Sequence, residues 1–352
     1  MKAARIVEPN QPLEIQQLEV QKPKASQVLV KVEASGVCHS DLHLWQGAYE
    51  GIAGQVIKTT DRGVRYPLTP GHEIAGVVEN TGEDVKEFAK GDRVLVYPWI
   101  GDGLCPACRA GEENVCDQPK SLGIYRDGGY AEFALVPDKR YLIRLDDNKM
   151  DINASAVLSC SVLTAYGAVK NAMLRPNETA VVVGAGGIGL MAIQTIKAIA
   201  QARVIAMDID DKKLQAAKSN GADIVINSKT QDAVKSVMEY TDNLGADAVL
   251  DIVNASKTVE TDMQFLRKRA KVVLVGLFGG ELRLSLLSMP TRAYKLIGSY
   301  TGTLSDLTEL VSLAQRGVIK PVVSDHFKLD QATEALSKLK AGQIIGRGVI
   351  NP

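Results

Sequence analysis

The sequence predicts an α/β protein in two parts, an all-β domain and a doubly wound parallel-sheet domain, on three observations. The chain's 352 residues exceed the size at which one hydrophobic core usually stops growing, so two domains are expected. From Met1 to about Asn153, short alternating runs are broken by Gly and Pro, as in strands joined by turns. From about Ala180, apolar runs alternate with segments of helical period, as βαβ units require.

Val28–Val32 and Ile74–Val78 read as strands of the first part. Thr179–Ile196 is uncharged and nearly long enough to span a membrane, but Gly184, Gly186, Gly187 and Gly189 favour a buried strand, a tight turn and a buried helix. Strands are expected at Ala180–Val183, Val204–Ala206, Ile224–Ile226, Ala248–Val253 and Val272–Val275. Helices are expected at Lys212–Asn220, closed by Gly221, and at Lys257–Lys268. Helices Ser305–Arg316 and Gln331–Lys340 and a strand Arg347–Ile350 return the chain to the first domain.

Composition narrows the function. Lys plus Arg equals Asp plus Glu, 41 each, which leaves no basic excess for nucleic acid or an anionic membrane. The opening residues contain no apolar run suited to a secretory signal, so a cytoplasmic protein is expected. Of five cysteines, three fall between Cys105 and Cys116, a spacing that suits metal ligation in a reducing compartment better than disulfides.

Gly184-Ala-Gly186-Gly187-Ile188-Gly189 follows an apolar strand and opens an apolar helix, the context of a dinucleotide fingerprint. The first glycine serves the turn, the second the approach of a pyrophosphate, and the third the packing of helix on strand. Asp208 ends the next strand, nineteen residues after Gly189, where its carboxylate can take the ribose hydroxyls. Asp210 and Asp211 beside it would repel a 2′-phosphate, so NAD is preferred to NADP; Lys212 and Lys213 weaken this slightly.

Cys38-His39-Ser40-Asp41-Leu42-His43 gathers thiol, imidazole, hydroxyl and carboxylate, and Gly71-His72-Glu73 adds a second imidazole and carboxylate. Spacing alone does not join the two, and each residue is also at home in a core. Cys105-x2-Cys108-x7-Cys116 lies in a Gly- and Pro-containing loop and reads as a structural zinc site, or else as a loop with three reduced thiols.

The run Gly36-Val-Cys38-His-Ser-Asp41, then Gly71-His72-Glu73 with Gly76 and Gly82, then Lys90-Gly-Asp-Arg-Val94, resembles the zinc-containing medium-chain alcohol dehydrogenases, and most of all their archaeal, often thermophilic, members. The resemblance spans essentially the whole chain. It implies a GroES-like β domain, residues 1–155 and 298–352, with a Rossmann NAD-binding domain, residues 156–297, inserted between. It implies Cys38, His72 and Cys160 as ligands of a catalytic zinc with an open fourth position, which would act as a Lewis acid on a small primary or secondary alcohol, or on the matching aldehyde or ketone, while NAD exchanges a hydride.

The resemblance further implies a proton relay from Ser40 through the cofactor ribose to His43, with helix capping as the structural alternative for Ser40. Asp41 would orient His72, and Glu73 would lie close enough to act as a transient ligand. His39 and Arg347 would contact cofactor phosphates, and Thr164, Lys213, Leu277 and Phe278 would join the cofactor contacts. Trp99 is expected either at the pocket wall or in the core. Family members carry a fourth cysteine where this chain has Asp102, so the second cluster would be a Cys3Asp site. A homodimer or homotetramer is implied, with Val272–Leu286 as a candidate intersubunit strand pair. Three rivals stand beside this reading. Zinc-free quinone reductases lack the Cys38, His72, Cys160 set, and polyol dehydrogenases usually have an acidic third ligand. A non-catalytic NAD-binding protein on the same scaffold is the third.

Overall fold

The computed structural model describes residues 1–146 and 150–352. The chain divides into two compact units: Met1–Ala48, Lys58–Leu163 and Gly302–Pro352 form the first, Tyr49–Ile57 and Thr164–Thr301 the second. The junctions expected from sequence at 155/156 and 297/298 fall instead at 163/164 and 301/302. The short stretch Tyr49–Ile57, read from sequence as part of the first domain, clusters with the second unit.

The first unit is built on a seven-stranded sheet. Val28–Val37 lies at its centre, antiparallel to Glu73–Thr81, Phe133–Val136 and Arg347–Asn351, with Val323–Lys328 beyond the last of these. Apart from Lys31 and Glu33 the central strand is buried, and Val37, Tyr130, Phe327, Leu336 and Ile350 share one apolar core with the helix Ala332–Lys340. Two registers bring distant segments together. Gly36 pairs with Glu73, and Gly348 pairs with Val37, so residues from three parts of the chain meet at one end of the sheet.

The second unit carries six parallel strands. Across the sheet they are Ile224–Asn227, Arg203–Asp208, Thr179–Val183, Ala246–Asp251, Leu266–Leu274 and Lys295–Gly298. Chain order reverses beside Thr179–Val183, which creates the crevice at strand carboxyl ends where doubly wound folds bind ligands. Val181, Ile205, Val249, Phe265 and Val272 form its core.

Two expectations for this unit are corrected. The helix expected at Lys257–Lys268 ends at Asp262, because the next strand starts at Leu266, paired with Ala246. Phe265 and Leu266, at the start of that strand, are buried residues whose spacing also fits a helix face, so period alone could not separate them. Val272–Leu274, the part of the candidate Val272–Leu286 that lies in a strand, is already bonded on both sides by Ala246–Asp251 and Lys295–Gly298; among the described residues the sheet's edge strands are Ile224–Asn227 and Lys295–Gly298. No single helix among the described residues is long and apolar enough to cross a membrane. The stretch Thr179–Ile196 is a buried strand followed by a helix, Gly187–Thr195.

Candidate active site

The first cluster assembles where the central strand of the first unit ends. Val37 leads into Cys38, which stands at the N-cap of the helix His39–Gln46. Across the sheet, His72 immediately precedes the strand that starts at Glu73, and the Gly36–Glu73 register sets the two side by side. Cys160 comes from the break between the turn Val157–Ser159 and the helix Ser161–Ala172. All three side chains are buried, and their ligand atoms lie within 4.8 Å of one another.

Asp41 organises this cage. Its Oδ1 accepts from His72 Nδ1 at 3.2 Å and from the Gly71 amide at 3.0 Å. Its Oδ2 accepts from the Cys38 amide at 2.9 Å and from the Tyr130 hydroxyl at 3.2 Å. Ser40 is not the helix cap: Cys38 holds that position and Asp41 closes back on its amide. The Ser40 hydroxyl instead lies 3.8 Å from Cys38 Sγ. His43, one turn along, is half-buried, and His39 is exposed.

With Nδ1 engaged by Asp41, the buried Nε2 of His72 has no partner. An orphaned imidazole nitrogen beside two thiols is the signature of a metal cage rather than of a satisfied core. The spacing agrees. Tetrahedral zinc with sulfur at ~2.3 Å sets two sulfurs ~3.8 Å apart, and Cys38 Sγ stands 3.8 Å from Cys160 Sγ. The donor set therefore fits zinc.

Electrostatics point the same way. The hydrogen bond with Cys160 is the largest influence on Cys38 and, against burial, brings its thiol well below the ordinary range, helped by Arg347 and His72. The same bond and burial raise Cys160. Burial would lower the His72 imidazole, but Asp41 and Cys38 outweigh it and hold it well above its usual value.

Glu73 lies directly behind the cage. Its Oε1 accepts from the Ser161 amide at 2.9 Å and from Arg347 Nη2 at 2.8 Å, while Oε2 is buried with no partner. A Cβ at Gly36 would stand 1.8 Å from that oxygen, so glycine alone leaves room for it. Arg347 is 4% exposed and directs two of its nitrogens at Glu73. Trp99 is buried, donates to Ser159 O at 3.0 Å, and sets its ring 5.4 Å from that of His72. Tyr130 and Ser161 carried no signal in the sequence, and Gly36 entered only as part of a motif: a hydroxyl, an amide and the room a glycine leaves gain these roles only once the sheet register is known.

The second cluster gathers Asp102, Cys105, Cys108 and Cys116. Cys105 and Cys116 Sγ are again 3.8 Å apart. Asp102 Oδ1 accepts from the Leu104 amide at 2.7 Å and the Cys105 amide at 3.1 Å, bonds that hold the carboxyl well below its usual range. The carboxylate is thus ionised and available as a fourth donor, and Gly101 leaves room for Cys108 Sγ, which a Cβ there would approach to 2.4 Å.

In the second unit the glycine-rich loop joins Thr179–Val183 to the helix Gly187–Thr195, and Ile188 is half-buried in its first turn. A Cβ at Gly189 would stand 1.9 Å from Gly184 O, whereas nothing lies within 4 Å of a Cβ at Gly186, the side open to a ligand. Asp208 takes the Ala185 amide on Oδ2 at 2.7 Å and the Ile209 and Asp210 amides on Oδ1. Thr164 is buried, Lys213 half-buried, and Leu277 and Phe278 are exposed.

Known proteins match throughout. Residues 24–147 match the family "Alcohol dehydrogenase GroES-like domain" and residues 187–316 match "Zinc-binding dehydrogenase". An NAD-dependent alcohol dehydrogenase of Sulfurisphaera tokodaii is 44% identical over 353 residues, covering 100% of both chains. One from Saccharolobus solfataricus is 43% identical with the same coverage. The crystal structure of the alcohol dehydrogenase from the hyperthermophilic archaeon Aeropyrum pernix superposes with a TM-score of 0.90 at 36% identity, covering 100% of each chain.

Proposed function

The chain belongs to the zinc-binding alcohol dehydrogenase family, and from that premise we propose that it interconverts small primary or secondary alcohols and their aldehydes or ketones, with NAD as hydride carrier. The observation that carries the reading is the buried Cys38, His72, Cys160 cage with one imidazole nitrogen left without a partner. When bound, zinc supplies a Lewis acid for the substrate oxygen and NAD takes or gives the hydride.

The chain's own residues do the rest. Cys38, His72 and Cys160 would hold the catalytic ion, and two thiolates with a neutral imidazole cancel its formal charge without closing its shell. Asp41 accepts the hydrogen bond of His72 Nδ1–H, which keeps the proton on Nδ1 and leaves Nε2 as the lone pair. Glu73 keeps one oxygen for Arg347 and Ser161 and has the other to offer as a transient donor. Arg347, which holds Glu73 through two of its nitrogens, and His39 contact the cofactor phosphates. Ser40, beside Cys38, would take the alcohol proton and His43 would be its final acceptor, with the ribose of a bound cofactor completing the relay between them. Burial lowers His43 from its ordinary value, outweighing the opposing influences of Cys38 and the Ala48 backbone, so it is neutral and ready to accept.

In the cofactor unit, the Gly184–Gly189 loop receives the pyrophosphate and Asp208 the ribose hydroxyls, with Thr164, Lys213, Leu277 and Phe278 completing the contacts. Asp102, Cys105, Cys108 and Cys116 hold a second, structural zinc. The enzyme works in the cytoplasm as a homodimer or homotetramer assembled through the Lys295–Gly298 edge.

Rates with NAD and NADP over primary, secondary, aromatic and diol substrates, measured alongside zinc per chain, test this. About two zinc ions per chain and an NAD-linked alcohol activity are expected. Full activity in a Cys38→Ser variant, or activity that survives removal of all zinc, would overturn it.

A further inference from the structure

The cofactor unit holds a buried pair of acids that the mechanism does not use. Asp251 ends the strand Ala246–Asp251 and Asp262 ends the helix Ser256–Asp262, and both are fully buried. Asp251 is well supplied with donors: the Val253 and Asn254 amides reach Oδ1 at 2.9 and 2.7 Å, and the Thr258 hydroxyl reaches Oδ2 at 2.7 Å. Asp262 has none. Neither of its oxygens meets a donor, and the charged group it faces is Asp251, within hydrogen-bonding reach.

Two carboxylates so placed cannot both be ionised. If Asp262 carries a proton, it changes from an orphaned acceptor to a donor, and Asp251 gains the bond. Its place at a helix C-terminus favours the neutral form as well. Among the described residues no cation relieves it, and Lys268 and Arg269 on the strand Leu266–Leu274 are exposed. Lys235 pairs with Glu239 on the helix Ala233–Tyr240, Arg267 pairs with Asp247, and Lys271 pairs with Glu178; on its own helix Lys257 and Glu260 are exposed. Burial and the Asp251 charge raise Asp262 well above the carboxyl range, while burial raises Asp251 against the pull of its donors.

Asp251 anchors the turn Ile252–Asn254 through the Val253 and Asn254 amides. Ile252 N bonds Val183 O at 2.9 Å, and Asn254 Nδ2 bonds Gly276 O at 2.8 Å. A Cβ at Gly184, the first glycine of the loop, would stand 3.0 Å from Val253 Cγ2, and one at Gly276 would stand 2.1 Å from Val253 O. The turn is wedged between the glycine-rich loop and the segment leading to Leu277 and Phe278, beside the crevice where the strand order reverses.

We propose that Asp262 is a positioning residue for the cofactor: as a neutral acid it donates to Asp251, and this proton-bridged pair holds the Ile252–Asn254 turn against Gly184, so that losing the proton loosens NAD binding. The proposal rests on the Gly184–Gly189 loop being the NAD site. Its test is the Kd for NAD of the zinc-loaded enzyme from pH 6 to 10 in wild type, Asp262→Asn, whose amide keeps the donor without a titrating proton, and Asp262→Ala. Alongside it, infrared spectra follow the carbonyl stretch of an un-ionised carboxylic acid. Expected are an acid band at neutral pH that is missing from Asp262→Asn, a wild-type affinity that falls about tenfold at alkaline pH while Asp262→Asn stays flat, and an Asp262→Ala variant that is weak throughout. Identical infrared spectra, or the same pH profile in wild type and Asp262→Asn, would overturn the pair. The band present without NAD binding at any pH would overturn the cofactor reading beneath it.

Discussion

Asp41 uses both carboxylate oxygens to hold four donors around the cage, and the imidazole depends on it for its tautomer. Replacing it with Asn keeps the size but puts an N–H where an acceptor is needed. Zinc affinity of Asp41→Asn is expected to fall about 10–100-fold in competition with a colorimetric chelator, and a change under twofold would remove its positioning role. His43 makes a prediction of opposite electrostatic sense. Its folded pKa lies below the ordinary value of 6.5, so the native state binds fewer protons than the unfolded chain in between. Its share of stability is present above about 6.5 and is lost as pH falls through the folded value. Denaturant titrations should therefore show His43→Gln losing less stability than wild type between pH 7.5 and 5. Equal losses would count against a desolvated His43. At this scale the sequence was informative where chemistry is carried by side chains in a fixed motif, as at Cys38, Asp41, His72 and Cys160. It was silent on Tyr130 and on why position 36 must be glycine, since both roles arise from how the chain pairs in the sheet.

At the scale of elements, the glycine-rich loop separates fold from function. Gly186→Ala meets no atom within 4 Å and should leave stability unchanged, yet it places a methyl where the pyrophosphate must approach. Gly189→Ala drives a Cβ to 1.9 Å from Gly184 O and should cost more than about 2 kcal/mol in stability. Thermal unfolding and NAD titration of the two variants separate these outcomes; equal unfolding would contradict the close helix–strand crossing. The Asp102 loop offers a second test. A carboxylate is a harder ligand than a thiolate, so a chelator should strip this ion before the catalytic one, and Asp102→Cys should reverse the order. Zinc per chain followed over time decides it. These elements were legible because a glycine motif or a cysteine spacing is local. The boundary at Asp262 was not, because Phe265 and Leu266 satisfy the helical period and only their pairing with the neighbouring strand shows which structure they join.

At the scale of the molecule, the parallel sheet ends in Lys295–Gly298, whose outer backbone groups have no strand beside them. Leu286 and Leu287, before it in sequence, are 85% and 73% exposed. A second copy covering both would bury the edge and the leucines together. Sedimentation should find wild type as a dimer or larger and a Leu286→Asp, Leu287→Asp double variant shifted toward monomer; an unchanged distribution would place the interface elsewhere. Two units were foreseeable from length and from the change in residue pattern near Ala180, but the transfer of Tyr49–Ile57 to the second was not, since nothing in those nine residues marks where they pack. The first unit's discontinuity also affects how the molecule is made. Arg347–Asn351 is an interior strand, flanked by Val323–Lys328 and Val28–Val37, and Arg347 reaches across 274 positions to Glu73. During synthesis the ribosome releases residues 164–301 before that strand exists, so the cofactor unit can form early while the metal-bearing sheet waits with an open flank. A nascent chain arrested near residue 320 should thus hold NAD before it can hold its catalytic ion firmly, and that interval is when it most needs a chaperone.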